Sequence, residues 1–404
     1  MDIIIVAMSR FDGIYSSNIL SLAQKIAEKH RVFYIDYPLT LSYFLKNYNS
    51  KIIQDRKESL LWRKNIYRKP FKAFENLTVV IPPLAMPINW LPAAKNEKAL
   101  AYDFFSKIND FFFKRTLSQL IENYDMKDYI LLNSFNPFFA QSLPKKQPKK
   151  WVYQSIDDMS KSVYVAKHGP YMERKMLEKV DIALATSTHL ARKLSTENVP
   201  VRYLPNAADV NIFNNSYLKK LALPKEIENI KQPIICYIGN IGFRLDYELL
   251  KKVATKHKDK VLLMLGPITT KDCEKSELAK LENVIFVGGK PLVEVPAFLQ
   301  HSSCLLIPFL CNELTASIYP LKINEYLTSG KPIVCTNFSE DIRTFSEVAF
   351  IAKDHENFVT LIQESMDKDS VLLQKRRFET AQQNSWKARA AQLLEIINED
   401  SGIS

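Results

Sequence analysis

The stretch Tyr319–Thr336 reads Tyr-Pro-Leu-Lys-Ile-Asn-Glu-Tyr-Leu-Thr-Ser-Gly-Lys-Pro-Ile-Val-Cys-Thr, and it fits helix, stop and strand in that order. Pro320 suits the entry to a helix, where its missing N–H would be unpaired anyway. Leu321, Asn324 or Glu325, and Thr328 share one face at helical spacing. Gly330 supplies a left-handed stop, and Pro332 prevents the helix from resuming. Ile333-Val334-Cys335 is a short apolar run suited to a buried parallel strand. The N-terminus of such a helix collects unpaired N–H groups and suits a phosphate. Lys322 in its first turn opposes the macrodipole unless an anion binds there, and Glu325 follows one turn later, within reach of a sugar hydroxyl beside that phosphate.

The beginning of the chain has the same α/β character. Ile3–Ala7 reads as a buried strand, and a helix follows from about Ser17 to His30 with Leu20, Ala23, Ile26 and Ala27 as its apolar stripe. Val32–Asp36 is a second strand, so the start is a βαβ unit and implies a parallel sheet. The connecting loop holds one glycine, Gly13, and therefore no Gly-x-Gly-x-x-Gly fingerprint for a dinucleotide. More strands are expected near residues 77–81, 129–132, 151–154, 181–185, 201–204, 234–238, 261–265, 284–287, 304–308 and 348–352. A long helix from Asn96 to Tyr124 would carry Phe104, Phe105, Ile108, Phe111, Phe112 and Leu117 as a broad apolar surface. A chain of 404 residues exceeds the size of one growing core, so two domains are expected, with the polar, Lys-rich stretch 214–232 as linker.

Two loops at strand ends carry candidate chemistry. Gly239-Asn240-Ile241-Gly242-Phe243-Arg244 follows the strand at 234–238. Its two glycines let backbone approach a ligand, and Arg244 can offer a planar fork to a diphosphate. Asp157 and Asp158 follow the strand at 151–154, where open α/β sheets place ligands, although either also suits a helix N-cap. His189 reads as structural.

The net charge of +11 and pI near 9.1 fit nucleic acid, an anionic membrane face or phosphorylated substrates. No helix-turn-helix, zinc finger or RNP-like motif appears, so nucleic acid is not expected as a partner. Trp62, Arg63, Lys64, Tyr67, Arg68, Lys69, Phe71, Lys72 and Phe74 interleave basic and aromatic residues; this segment, 62–74, reads either as a dock on an anionic membrane or as a surface insertion with its aromatics packed beneath. Cys236, Cys273, Cys304, Cys311 and Cys335 form no Cys-x-x-Cys pair and read as buried small hydrophobes of a reducing compartment; with the histidines scattered, no metal site is visible. Asp2 and the short run Ile3–Met8 do not suit a signal peptide, and no run approaches the roughly eighteen apolar residues of a membrane span. A cytoplasmic protein, soluble or peripheral on the inner face of the membrane, is the expectation.

Tyr319–Thr336, the glycine loop at 239–246, the strand-Thr186-Ser187-x-x-Leu190 passage and Pro205-Asn206-Ala207-Ala208-Asp209 together resemble the retaining GT-B glycosyltransferases of the group 1 type, which build capsules and teichuronic acids. The resemblance spans nearly all of the second domain and scattered points of the first. It implies two Rossmann-like, doubly wound parallel-sheet domains facing a cleft, at 1–212 and 213–380, with residues 381–404 as a helix returning to the first. It assigns donor binding to Gly239, Asn240, Gly242, Arg244, Ser317, Leu321, Lys322 and Glu325, with Glu325 on the ribose hydroxyls. Arg244 and Lys322 would stabilise the departing diphosphate without a metal, and no cofactor is implied beyond a UDP- or GDP-linked sugar as co-substrate. Asp12, Gly13, Ser17 and Asp157 fall to the acceptor, and Asp158 to acceptor hydroxyls or general-base work. The sequence departs from the family at Ser317, where an earlier glutamate is usual, and at Asn240, where an arginine is usual. The implied reaction moves a sugar to a hydroxyl of a glycan or lipid-linked acceptor in cell-surface polysaccharide synthesis, with retention. The alternatives are a non-catalytic subunit that docks a polysaccharide assembly to the membrane, and a GT-B sugar-nucleotide epimerase.

Overall fold

A computed structural model describes residues 1–13, 17–61, 64–95, 99–162 and 165–399. The chain forms two compact units: one holds Met1–Leu204 with the stretch from Ala390, the other Pro205–Arg389.

In the first unit the strands are β1 (Asp2–Ala7), β2 (Arg31–Ile35), β3 (Ile66–Arg68), β4 (Leu77–Ile81), β5 (Tyr129–Ser134), β6 (Lys150–Ser155), β7 (Ile182–Ala185) and β8 (Val201–Tyr203). Their order is β3-β4-β2-β1-β5-β6-β7-β8, parallel throughout except that β3 runs antiparallel to β4. Parallel strands covered on both faces must be apolar along their whole length, and Ile3–Ala7 are buried without alternation. β3 is a correction to the sequence reading, which placed no strand between those at 32–36 and 77–81. Among the described residues of the 62–74 segment, Ile66–Arg68 pair with Val79–Ile81, and the Tyr67 ring packs edge-on against Tyr124. Trp62 and Arg63 lie outside the described residues.

The second unit contains β9 (Ile234–Ile238), β10 (Val261–Leu265), β11 (Val284–Gly288), β12 (Cys304–Ile307), β13 (Ile333–Thr336) and β14 (Phe350–Ala352). Their order, β11-β10-β9-β12-β13-β14, is all parallel, with the first three strands laid in one direction and the last three in the other. Right-handed crossovers in such an order wind the chain over both faces and leave a crevice between β9 and β12, where the direction reverses. The stretch 214–232, which read as a linker, packs as part of this unit. Ile227 is buried in its core, and the Gln300 amide donates to the carbonyls of Ser216 and Lys219. Four of the five cysteines are buried, as small hydrophobes; Cys311 is exposed. No helix among the described residues is long and apolar enough to cross a membrane.

Candidate functional site

The donor-type candidates follow the carboxyl end of β9 or lie on the helix Leu321–Leu327 and in the turn before it. Pro320 caps that helix, Gly330 takes φ +70 three residues after its end, and β13 follows, as the spacing required. What locks the helix in place is Tyr326. The β9–β12 ladder stops at Cys236, which frees the outer N–H and carbonyl of Ile238. The Tyr326 hydroxyl accepts the first at 2.8 Å and donates to the second at 3.1 Å, so one phenol replaces the missing ladder. Tyr326 is 1% exposed, and Tyr326→Phe would leave both backbone groups dry and unpaired. Denaturant unfolding is expected to show a loss of about 1–3 kcal/mol; an unchanged midpoint would mean the phenol does not hold the helix.

The glycine loop is built by close approach. Gly239 sits at φ +155, and a side-chain carbon there would lie 2.9 Å from the Tyr237 hydroxyl and 3.0 Å from Cε of Lys322. Gly266, at the end of β10 with φ +147, is tighter still: its Cβ would stand 1.8 Å from the carbonyl oxygen of Gly239. The Gly239 N–H donates to the Leu265 carbonyl and the Ile241 N–H to the Pro267 carbonyl, so the two loops run as a pair. Tyrosines fix the turn, Tyr237 donating to the Asn240 carbonyl and Tyr247 to the Gly242 carbonyl, both at 3.0 Å. Thr269 donates to the Asn240 amide oxygen at 2.9 Å, which assigns Asn240 a role in shaping the loop.

Lys322 thus reaches over Gly239, and its ammonium lies 2.8 Å from a Glu325 carboxylate oxygen. The anion that explains a lysine in this first turn is, within the chain, Glu325 itself. Glu325 is 8% exposed and Leu321 half-buried. Arg244 is half-buried, with its guanidinium over the Phe243 ring. Burial pushes the Tyr237 phenol well up, with Arg244 pulling it down and Glu325 pushing it further up. Ser317 is 1% exposed and donates to the Leu314 carbonyl at 2.7 Å, closing the turn before the helix. Tyr237, Tyr326, Gly266 and Thr269 escaped the sequence reading. A tyrosine in a strand end or a helix carries no local signal of the backbone group it will meet.

In the first unit the acceptor-type candidates take structural partners. Asp12 pairs with Arg10 at 2.8 Å and with the buried Arg56 at 2.7 Å, and Arg56 also lies 3.3 Å from Asp36. Asp36, at the end of β2, accepts the Phe11 N–H; burial pushes its carboxyl up to about 6 even though Arg56 pulls the other way. Gly13 is exposed beside this cluster, and Ser17 caps the helix Asn18–Ala27, accepting the Leu20 N–H. Asp158 takes the N-cap role weighed for it: it accepts from Ser160 and from Lys193 at 2.6 Å. Burial alone would raise its pKa, but Lys193 and Ser160 hold it below the usual carboxylate range, which makes it a weak proton acceptor. Asp157 is half-buried on the same loop. A carboxyl the sequence did not suggest, Glu173, is buried and accepts from Tyr153 and Ser155; burial brings it up to about 7. No group of His, Cys, Asp or Glu among the described residues could hold a metal.

Comparison with known proteins first defines the class. The fold is GT-B. A sucrose-phosphate synthase from Thermosynechococcus elongatus superposes with TM-score 0.67 over 100% of both chains at 15% identity. A structure described as trehalose-6-phosphate from E. coli bound with UDP-2-fluoro glucose does so with TM-score 0.68, covering 100% of this chain and 99% of that one at 10% identity. Residues 232–368, the part that carries the glycine loop and the Lys322–Glu325 helix, match the family Glycosyl transferases group 1. More particularly, the chain is 28% identical over 171 residues to the putative teichuronic acid biosynthesis glycosyltransferase TuaH of Bacillus subtilis. That match covers 41% of this chain and 42% of the relative, about two fifths of its length.

Proposed function

We propose that this protein is a glycosyltransferase that moves a sugar from a nucleoside-diphosphate-sugar, UDP- or GDP-linked, to a hydroxyl of a glycan or lipid-linked acceptor in cell-surface polysaccharide synthesis, with retention at the anomeric carbon. The observation that carries the reading is the approach of Lys322 to Gly239 at the β9–β12 switch, with Glu325 one turn further along the same helix.

The chemistry follows from those groups. Backbone left bare at Gly239 and Gly242 lets a diphosphate lie against the loop, and Arg244 supplies bidentate donors. Glu325, an acceptor of hydrogen bonds when ionised, suits the paired hydroxyls of a ribose. Departure of the diphosphate builds negative charge, which Arg244 and Lys322 are held to meet, and preorganised donors of this kind are each worth about 3 kcal/mol. Asn240 and Ser317 stand at donor-binding positions, Asn240 holding the loop and Ser317 the turn before the helix. Asp12, Gly13, Ser17, Asp157 and Asp158 are proposed to face the acceptor through the loops they brace. Burial brings Glu173 up to about 7, the range that suits a general base, but Tyr153 and Ser155 enclose it.

Calorimetric titration with UDP, GDP, ADP and CDP tests the donor site. One nucleotide is expected to bind at micromolar affinity, and Glu325→Ala to weaken it about tenfold or more, equivalent to about 1.4 kcal/mol. Binding of none of the four by the native protein would end the transferase reading.

A further inference from the structure

In the first unit, the helix Leu100–Asn123 turns an unexpected ridge to solvent. Phe104 and Phe111, expected as part of its broad apolar surface, are 64% and 63% exposed, and Leu100 is 79% exposed. Residues spaced four, three, four and four apart stack along one face of a helix. Here that face reads Leu100, Phe104, Lys107, Phe111, Arg115, all exposed. The opposite face, with Tyr102, Asn109, Phe113, Leu117 and Leu120, is buried, so the helix is firmly seated. Its rim is extended by Trp90, 72% exposed, whose indole N–H is already taken by the Pro87 carbonyl. Ile88 and Leu91 of that loop pack in one cluster with Ala99 and Tyr102 of the helix, which places the indole beside the helix start.

Single exposed apolar residues need no explanation, but a contiguous row of them on a rigid helix does. We propose that this ridge, with Trp90 at its rim, is the face by which the protein lies on an anionic lipid surface. Aromatic and aliphatic side chains enter the headgroup boundary while interleaved cations meet acidic headgroups, the pattern of an interfacial helix. Charge complementarity selects this occupant. From Leu100 to Arg115 the exposed row carries Lys107 and Arg115 and no acidic residue, the exposed Glu122 following two turns further on near the helix end, on a chain of net charge +11. A second copy of the chain would bring these same cations against each other in a two-fold contact, where like charges repel. The 62–74 segment supplies less: of its aromatics among the described residues, Tyr67, Phe71 and Phe74 are all partly buried.

The proposal does not depend on the transferase reading, and its test keeps the two apart. The full-length protein is floated with vesicles of phosphatidylcholine alone and of equal parts phosphatidylcholine and phosphatidylglycerol. The variants Phe104→Ser/Phe111→Ser and Lys107→Glu/Arg115→Glu are floated alongside it. Wild-type protein is expected to float with the anionic vesicles only, and each variant to lose about tenfold or more in lipid affinity. Nucleotide affinity and thermal midpoint are expected to stay unchanged in both variants, because these side chains face solvent. Equal binding to both vesicle types, no binding to either, or binding unchanged in both variants would overturn the assignment. A ridge-dependent dimer in light scattering, without lipid binding, would overturn it in favour of self-association.

Discussion

Gly266→Ala is expected to abolish nucleotide binding and to destabilise the second unit. A methyl group there would stand 1.8 Å from the Gly239 carbonyl oxygen, a backbone atom that cannot swing aside as a side chain tip can. Two costs add. An L-residue held at φ +147 is strained by about 1–3 kcal/mol. Forcing an extra carbon into a filled space costs about 1–3 kcal/mol more. The chain can relieve both only by moving the Gly239–Gly242 loop away from β10, which breaks the paired N–H bonds to Leu265 and Pro267 and the seat of Lys322. Denaturant unfolding followed beside calorimetry measures both effects. Wild-type nucleotide affinity in Gly266→Ala would show that the loop pair does not shape the donor site.

Lys322→Ala is expected to lower turnover by about a hundred- to a thousandfold while weakening nucleotide binding far less. A cation that meets charge built in the transition state contributes more there than in the ground state. The readout is release of nucleoside diphosphate from the nucleotide-sugar matching the base found by calorimetry. Because Lys322 is ion-paired with Glu325 at 2.8 Å, its removal also leaves that carboxylate without its cation. The pair therefore calls for Lys322→Ala, Glu325→Ala and the double variant measured together. Additive losses in turnover would show two independent contacts. A double variant no worse than either single one would show that the pair acts as a unit. Turnover within about threefold of wild type in Lys322→Ala would remove the lysine from the chemistry, since the preorganised donors of such sites are worth about 3 kcal/mol.

How much of this was legible before the structure depends on how local each cause is. Pro320 and Pro332 restrict their own backbone and that of the residue before, and Gly330 admits the left-handed turn, so helix, stop and strand at 321–336 stood as written. Unbroken apolar runs such as 3–7, 234–238 and 261–265 marked buried parallel strands, because a strand covered on both faces leaves no room for alternation. The loop glycines after β9 were visible as glycines. β3 was not, since a three-residue edge strand is chosen by its neighbour, not by its own composition. The helix face at Phe104 and Phe111 was legible only in part, for a related reason. Periodicity shows that a face is apolar but not that anything covers it.

The sequence by itself determined the α/β class, the two-unit size, the order of nearly all strands along the chain and the residue types at the strand ends. Only the tertiary structure decided which of those residues meet. Lys322 lies 83 residues from Gly239, and Gly266 lies 27 from it, yet one packs over the loop and the other forbids any side chain beneath it. Asp158 reads the same on paper as cap or as base; in the fold it accepts the Ser160 N–H as a cap, and Lys193 holds its carboxyl ionised. The physical reason is range. Backbone restriction and periodicity act within a turn or two, whereas ion pairs, close approaches and hydrogen bonds to freed strand ends depend on where distant segments are brought together.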